Sequence, residues 1–244
     1  MSLESTTHSE KKVAIMQPYL FPYLGYFQLV RAVDYFVFYD DVTFIRQGWI
    51  NRNRILCNGK ESLFTVPILK SSSYIEINKT FSEIKSKWRD KFLKKIEQNY
   101  NKCVSFNNVM GIIEDVMEPG VRPISELAEN SIRSVCQYLG VEKRFLNSSE
   151  LSPETKGINR TDRLCAITKK LGLSQYLNLS GGKALYTKED FAKRDVSLFF
   201  VESKAVYYEQ HSVKEYVSNL SIIDVLMNNS EFEARELISG YNII

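Results

Sequence analysis

The sequence predicts an α/β, Rossmann-like fold: a mostly parallel sheet opened by a βαβ unit, with a hairpin and a helical insertion. Three observations carry it. Short strand-like apolar runs keep alternating with helical patterns along the chain. The stretch Val13–Arg54 reads as strand, loop, short helix and strand, one βαβ unit whose crossover should be right-handed. An Asn58-Gly59 pair between two further runs is a tight-hairpin signal.

The first element is Val13-Ala14-Ile15-Met16, a few apolar residues stopped by Gln17-Pro18, which suits a buried strand rather than a helix. Pro18–Tyr26 follows as a loop with two prolines and one glycine. Phe27, Leu29, Val30 and Val33 then recur at helical spacing for about two turns. Tyr35–Tyr39 is rich in strand formers and stops at Asp40-Asp41. Trp49–Leu56 and Ser62–Ile68 form the two arms of the hairpin, and Ile75–Phe81 is a further strand candidate after a Ser71-Ser72-Ser73 loop.

From Ser82 the pattern turns helical. Ile84, Trp88, Phe92, Leu93 and Ile96 make one apolar stripe running to about Asn99. Asn107–Met117 is closed by Pro119-Gly120, and Ile124–Leu139 ends at Gly140, where a left-handed residue is favoured. The helical insertion therefore spans about 82–140. Strand–helix alternation resumes with Arg144–Leu146, Thr161–Leu171, Tyr176–Leu179, Lys188–Lys193 and Val196–Glu202, before a final helix over Ile222–Ile238. Residues 1–10 read as a disordered tail and 11–244 as a single α/β domain.

Composition bounds the function. The chain has 244 residues, 44% of them hydrophobic, enough for a core without staples. Thirty-two basic and 29 acidic residues leave a net charge of +3, too little clustered charge to argue for nucleic-acid binding. No run approaches the ~18 apolar residues of a membrane span, and the polar N-terminus lacks a signal-peptide core, so the expected location is cytoplasmic, without membrane insertion. Four separated cysteines suit reduced thiols, and two histidines, His8 and His211, are too few for a Cys/His metal centre. The oligomeric state stays open.

Ligands of open α/β sheets sit beyond the carboxyl ends of the strands. Gln17 and the Pro/Tyr loop occupy the first such end. Gly25 there offers close ligand approach, and the helix N-terminus suits a phosphate or carboxylate, although the same residues also make a rigid turn packed by aromatics. Asp40 and Asp41 mark the second end, as a base, a hydroxyl or amine binder, or a simple turn; alternation lets one of them face the site, with Asp40 preferred. Arg46, Trp49, Asn51, Arg52 and Arg54 form a dense group: two guanidiniums on one strand face can hold a diphosphate, and an indole can stack on a base or sugar. Ser180-Gly181-Gly182-Lys183 follows a strand, where backbone N–H groups and a lysine suit an anion, as they would also suit a plain turn. His211 is a candidate for proton transfer.

Gln17–Phe27, Tyr39-Asp40-Asp41, Gly48–Asn53, Leu179–Gly182, Leu185-Tyr186, Tyr207–Gln210 and Leu220–Asn228 together resemble the WbqC-like protein family. The resemblance covers nearly the whole chain after residue 11. It implies a role in bacterial O-antigen or other surface-polysaccharide biosynthesis. More distantly, the opening strand, P-x-x-x-P-x-x-G-x and helix are similar to the HIGH-motif nucleotidylyltransferases and pantothenate synthetase. There, two histidines flank the glycine and hold ATP phosphates; here Tyr23 and Tyr26 stand in their places, and a phenol brings no positive charge at neutral pH. These likenesses imply a phosphate-bearing small-molecule substrate, with a nucleotide or nucleotide-linked sugar as the ligand. The implied reaction is transfer of an acyl or aminoacyl group to the amine of a nucleotide-linked amino sugar. His211, Asp40 or Tyr26 would do the chemistry, and Tyr23, Arg52 and Arg54 would bind. Nucleotidylyl or adenylate chemistry is the alternative within enzymes, and a non-catalytic sugar-binding or scaffold protein the alternative outside them.

Overall fold

Val13, Ala14 and Ile15 are each nearly without solvent contact, as a strand covered on both faces requires. They form β1 (Lys12–Met16), the strand from which the sheet grows. The computed structural model describes residues 10–69, 74–204, 207–211 and 213–244. The expected tail, apart from Glu10, and the Ser71-Ser72-Ser73 loop lie outside these residues. After β1 come α1 (Leu24–Ala32) and β2 (Tyr35–Phe38), which lies parallel to β1 with Val13 opposite Tyr35. This is the βαβ unit expected.

Further parallel strands are β7 (Arg144–Asn147) beside β2, β8 (Gln175–Leu179) on the other side of β1, and β9 (Ser197–Ser203) beyond it. A short antiparallel β10 (Tyr241–Ile243) closes the edge, giving the order β10-β9-β8-β1-β2-β7. The chain builds outward from β1 through β2 to β7, then returns to lay β8 on β1's opposite side. The boundary between β1 and β8 is thus the switch point of a Rossmann-like sheet.

Between β2 and β7 the chain leaves the sheet. It makes the hairpin β3 (Arg52–Cys57) and β4 (Lys60–Thr65), then β5 (Phe81–Ile84), α2 (Ser86–Tyr100), α3 (Phe106–Val116), β6 (Gly120–Pro123) and α4 (Ile124–Tyr138). Asn58 and Gly59 turn the hairpin with φ of 52° and 70°, the left-handed pair that such a two-residue turn demands. Side chains of this segment, among them Ile96, Ile113 and Leu127, share one apolar cluster with Phe36, Phe38 and α1. The opposite face of the sheet, with Val13, Ile15 and Val37, packs on α6 (Arg160–Lys170) and α7 (Lys188–Ala192) through Leu164, Ile167 and Phe191. The even and odd residues of β1 and β2 thus divide between two cores.

Several local expectations change. Trp49, Ile50 and Asn51 precede β3 rather than opening it, and the Ile50 carbonyl accepts from Leu20 N instead of a ladder partner. Within Ile75–Phe81, Ile77–Lys79 makes a single 3-10 turn and only Phe81 enters a strand, β5. Ser82 and Ile84 belong to β5, because β6, nearly forty residues on, gives their backbone a ladder. The expected last helix is two, α8 (Ile222–Asn228) and α9 (Glu231–Ser239): Asn229 is extended and Ser230 starts α9 with a capping box to Glu233. The one-turn α5 (Ser148–Leu151) and β10 had no periodic signal to announce them.

Candidate functional site

The loop from Gln17 to Tyr23 is held in a conformation it would not choose alone. Phe21 is buried with φ of 42°, a strain of roughly 1–3 kcal/mol for a bulky side chain. The surroundings hold it there. Phe21 N donates to Ser131 Oγ, Asn53 Nδ2 donates to the Leu20 and Phe21 carbonyls, and Ser221 Oγ donates to the Phe21 carbonyl at 2.8 Å. Leu20 N and Ile222 N add bonds to the Ile50 and Pro22 carbonyls. Every strap comes from a distant part of the chain. Gly25 serves this packing rather than a ligand: a Cβ there would lie 2.5 Å from the Tyr23 ring, correcting the expectation of close ligand approach. Tyr26 is likewise in the core, fully buried, its hydroxyl donating 3.0 Å to the Gln17 carbonyl; burial pushes its pKa well above that of a free phenol.

Beyond the carboxyl ends of β1, β2 and β8 opens a cleft of about 760 Å³. Gln17 and Tyr23 come from the first end, Tyr39 and Asp41 from the second, Gly181 and Gly182 from the third. Three of the groups marked in the sequence thus meet at the switch point. Gly182 packs under Asn178, whose side chain a Cβ would meet at 3.0 Å, so the Gly-Gly turn stays tight against its strand. The fourth wall is the start of α6, where Asn159 Oδ1 accepts from Thr161 N and the helix offers its positive end.

That wall carries charge. Arg163 Nη2 lies 2.5 Å from Asp41 Oδ2, both side chains buried, with the guanidinium 4.8 Å from the Tyr39 ring centroid. Burial raises the Tyr39 pKa, only partly offset by Arg163. Lys156 pairs with Glu76, which also meets Lys79 at 2.9 Å. Burial acts to raise the Glu76 pKa, but hydrogen bonds and charge from Lys156 and Lys79 outweigh it and keep the carboxyl below its ordinary value. Arg160 is exposed on the cleft, where its charge partly offsets the rise that burial causes in the Tyr186 pKa. Among the described residues that line the cleft, three cations therefore face two carboxylates.

Asp40 stands elsewhere. It is buried behind the wall and accepts from Ser149 N at 3.0 Å, Ser149 Oγ at 2.6 Å, Ser148 Oγ at 3.1 Å and Asn78 Nδ2 at 3.2 Å. Ser149 and Asn78 occupy both its oxygens and tie it to α5; Ser148 Oγ lies nearer Asp41, at 2.5 Å, and it is Asp41 that lines the cleft. The arginine group also disperses. Arg52 donates to the Gly48 and Gln47 carbonyls; Arg54 pairs with Glu61 at 2.7 Å and donates to the Asn219 carbonyl. The two guanidiniums sit 5.6 and 5.2 Å from the Trp49 ring centroid, so both expected clamp residues are engaged with protein groups and neither lines the main cleft. Asn51 is buried, donating to the Val66 carbonyl, and Arg46 is exposed on the preceding turn.

Ser180 begins the 3-10 turn that holds the two glycines, and Lys183 turns outward to pair with Glu202. His211 lies in a separate hollow of about 200 Å³ with Asn58, Gly59 and Lys102. A second cavity, of about 300 Å³, adjoins the cleft: Tyr19 and Tyr23 line both, and Trp49, Asn53, Arg54 and Asn219 complete it. The residues that sequence reading missed are Lys156, Arg160, Arg163 and Glu76. Their only local signal was Asn159 as a helix-starting residue, since nothing in the chain order ties them to β1.

This is a Rossmann-like α/β protein with a cleft at its switch point. A sequence model of the WbqC-like protein family matches residues 17–236, and the chain belongs to that family. It is 24% identical over 220 residues to the uncharacterized protein Rv1507c of Mycobacterium tuberculosis, covering 89% of this chain and 94% of that one. No solved structure matches it. Among the described residues, no helix is long and apolar enough to cross a membrane.

Proposed function

We propose that the protein is an enzyme of bacterial surface-polysaccharide biosynthesis that takes a nucleotide-linked amino sugar in the switch-point cleft and transfers an acyl or aminoacyl group to its amine. The observation that supports this most is the cationic wall at the start of α6, facing the Gly181-Gly182 turn across the ends of β1 and β8. Arg160, Lys156 and the α6 N-terminus suit a diphosphate, because guanidinium, ammonium and unpaired backbone N–H groups all favour anionic oxygen. Glu76, held below the usual carboxylate range by Lys156 and Lys79, suits the ammonium of an amino sugar and takes its proton as the nitrogen bonds the acyl carbon and the donor's leaving group departs. The strapped tyrosine loop keeps this geometry rigid before binding, which lowers the ordering cost.

A second reading, nucleotidylyl transfer, draws on the same wall. Its cations supply the charge that Tyr23 and Tyr26 do not bring to a phosphoryl group in transfer. The two are separated by incubating the protein with nucleotide-linked amino sugars, acyl-coenzyme A or amino acid with ATP, and following products by mass spectrometry. Acyl transfer adds the acyl mass to the nucleotide sugar. Pyrophosphate release with a nucleotidylated product supports the second reading. A protein that neither binds nor converts any member of the panel overturns both.

A further inference from the structure

We infer that the smaller cavity beside the cleft is a glycosyl subsite: it takes the pyranose ring of the nucleotide-linked sugar whose diphosphate lies in the cleft. This rests on the proposed function and says where the two halves of the ligand go. The two cavities share Tyr19 and Tyr23, so a single extended ligand passes from one to the other along that tyrosine wall. Their chemistry differs. The cleft carries Lys156, Arg160, Arg163 and the helix N-terminus; the smaller cavity, with the rings of Tyr19, Tyr23 and Trp49, holds one cation, Arg54, already paired with Glu61.

An aromatic face carries partial negative charge, and one face of a pyranose is a set of polarised C–H groups, so the two attract with little directional demand. Of these three rings Trp49 is the exposed one. Its indole is 42% exposed, yet the guanidiniums of Arg52 and Arg54 hold it, and these are themselves tied to backbone carbonyls and to Glu61. A large apolar ring kept at the surface and fixed in orientation is a preorganised platform. Asn53, by contrast, spends its amide on the Leu20 and Phe21 carbonyls and its Oδ1 on Arg54 N, and so serves as wall. The volume of about 300 Å³ lies at the lower end of the ~300–1,000 Å³ of small-molecule pockets, which suits one ring rather than a whole nucleotide.

The test compares nucleoside diphosphates (UDP, GDP, dTDP) with the corresponding nucleotide-linked amino sugars by calorimetry on wild type, Trp49→Ala, Trp49→Phe and Arg160→Ala. Trp49→Ala is expected to weaken the sugar nucleotide about tenfold while leaving the bare diphosphate within twofold. Trp49→Phe should restore most of the loss, and Arg160→Ala should weaken both ligands. In a Trp88→Phe background, where Trp49 is the remaining tryptophan, its fluorescence should change with the sugar nucleotide and not with the diphosphate. If diphosphate and sugar nucleotide lose affinity equally at Trp49→Ala, the base occupies the cavity and the inference fails. If neither is affected while Arg160→Ala weakens both, the inference fails and the cleft reading survives. Wild type binding none of these ligands sinks both.

Discussion

Arg163 of α6 meets Asp41 beyond β2 at 2.5 Å, with 3% and 2% of the two side chains exposed. The pair joins the end of one strand to a helix 122 residues further on, and fixes the wall on which Arg160 sits. Removing one partner of a buried pair leaves an unpaired charge, at a cost of about 3–5 kcal/mol. Arg163→Met and Asp41→Asn should each destabilise the fold on that scale in urea unfolding. The double variant should lose clearly less than the two single losses added together; simple additivity would show that the contact carries no coupling.

Arg160 offers the contrasting case. It is exposed, so Arg160→Ala should leave stability within about 0.5 kcal/mol. A charge-assisted bond to phosphate is worth roughly 1.5–3 kcal/mol, and calorimetry with a nucleotide-linked sugar should show affinity falling at least tenfold. Unchanged affinity would remove the anion-binding role from this wall.

Gly25→Ala should destabilise by about 1–3 kcal/mol, because its methyl group drives into the Tyr23 ring, which has to give way. Tyr23→Leu in the same chain should recover part of the loss in thermal unfolding. The reverse result, a worse double variant, would mean that the backbone rather than the ring yields.

Glu129 of α4 is mostly buried, and burial is the main reason its pKa rises from 4.5 to about 7; Asn147 opposes the rise and Asp40 adds to it. The folded state therefore holds a proton that the unfolded chain has released between about pH 4.5 and 7. Stability from this group is complete below that window and fades as pH climbs through it, by up to roughly 3 kcal/mol. Glu129→Gln keeps an acceptor for Asn147 Nδ2 and should flatten this part of the stability–pH curve. An unchanged slope would place the titration elsewhere.

His211 faces Asn58 and Lys102, away from the residues that line the cleft. His211→Ala should leave binding and turnover of nucleotide-linked sugars within twofold. A large loss would restore the histidine to the chemistry and demand a different site.

The sequence determined the elements that depend on neighbours. β1, α1 and β2 follow from short apolar runs and one helical stripe, and the hairpin from Asn58-Gly59. The stops at Gly140 and Gly172 follow from left-handed residues with φ of 62° and 70°. The break at Asn228-Asn229-Ser230, where a capping box to Glu233 starts α9, escapes the sequence reading, which predicts one helix. Tertiary structure decided the rest, because it turns on partners far apart in the chain. β5 exists because β6 returns to it, and Asp40 is taken up by Ser149 and Asn78 while Asp41, bonded to Ser148 and Arg163, reaches the cleft. Arg160 and Arg163 reach the cleft from α6 only because the chain crosses back over β1 to lay down β8, a change of direction that no local pattern of side chains encodes.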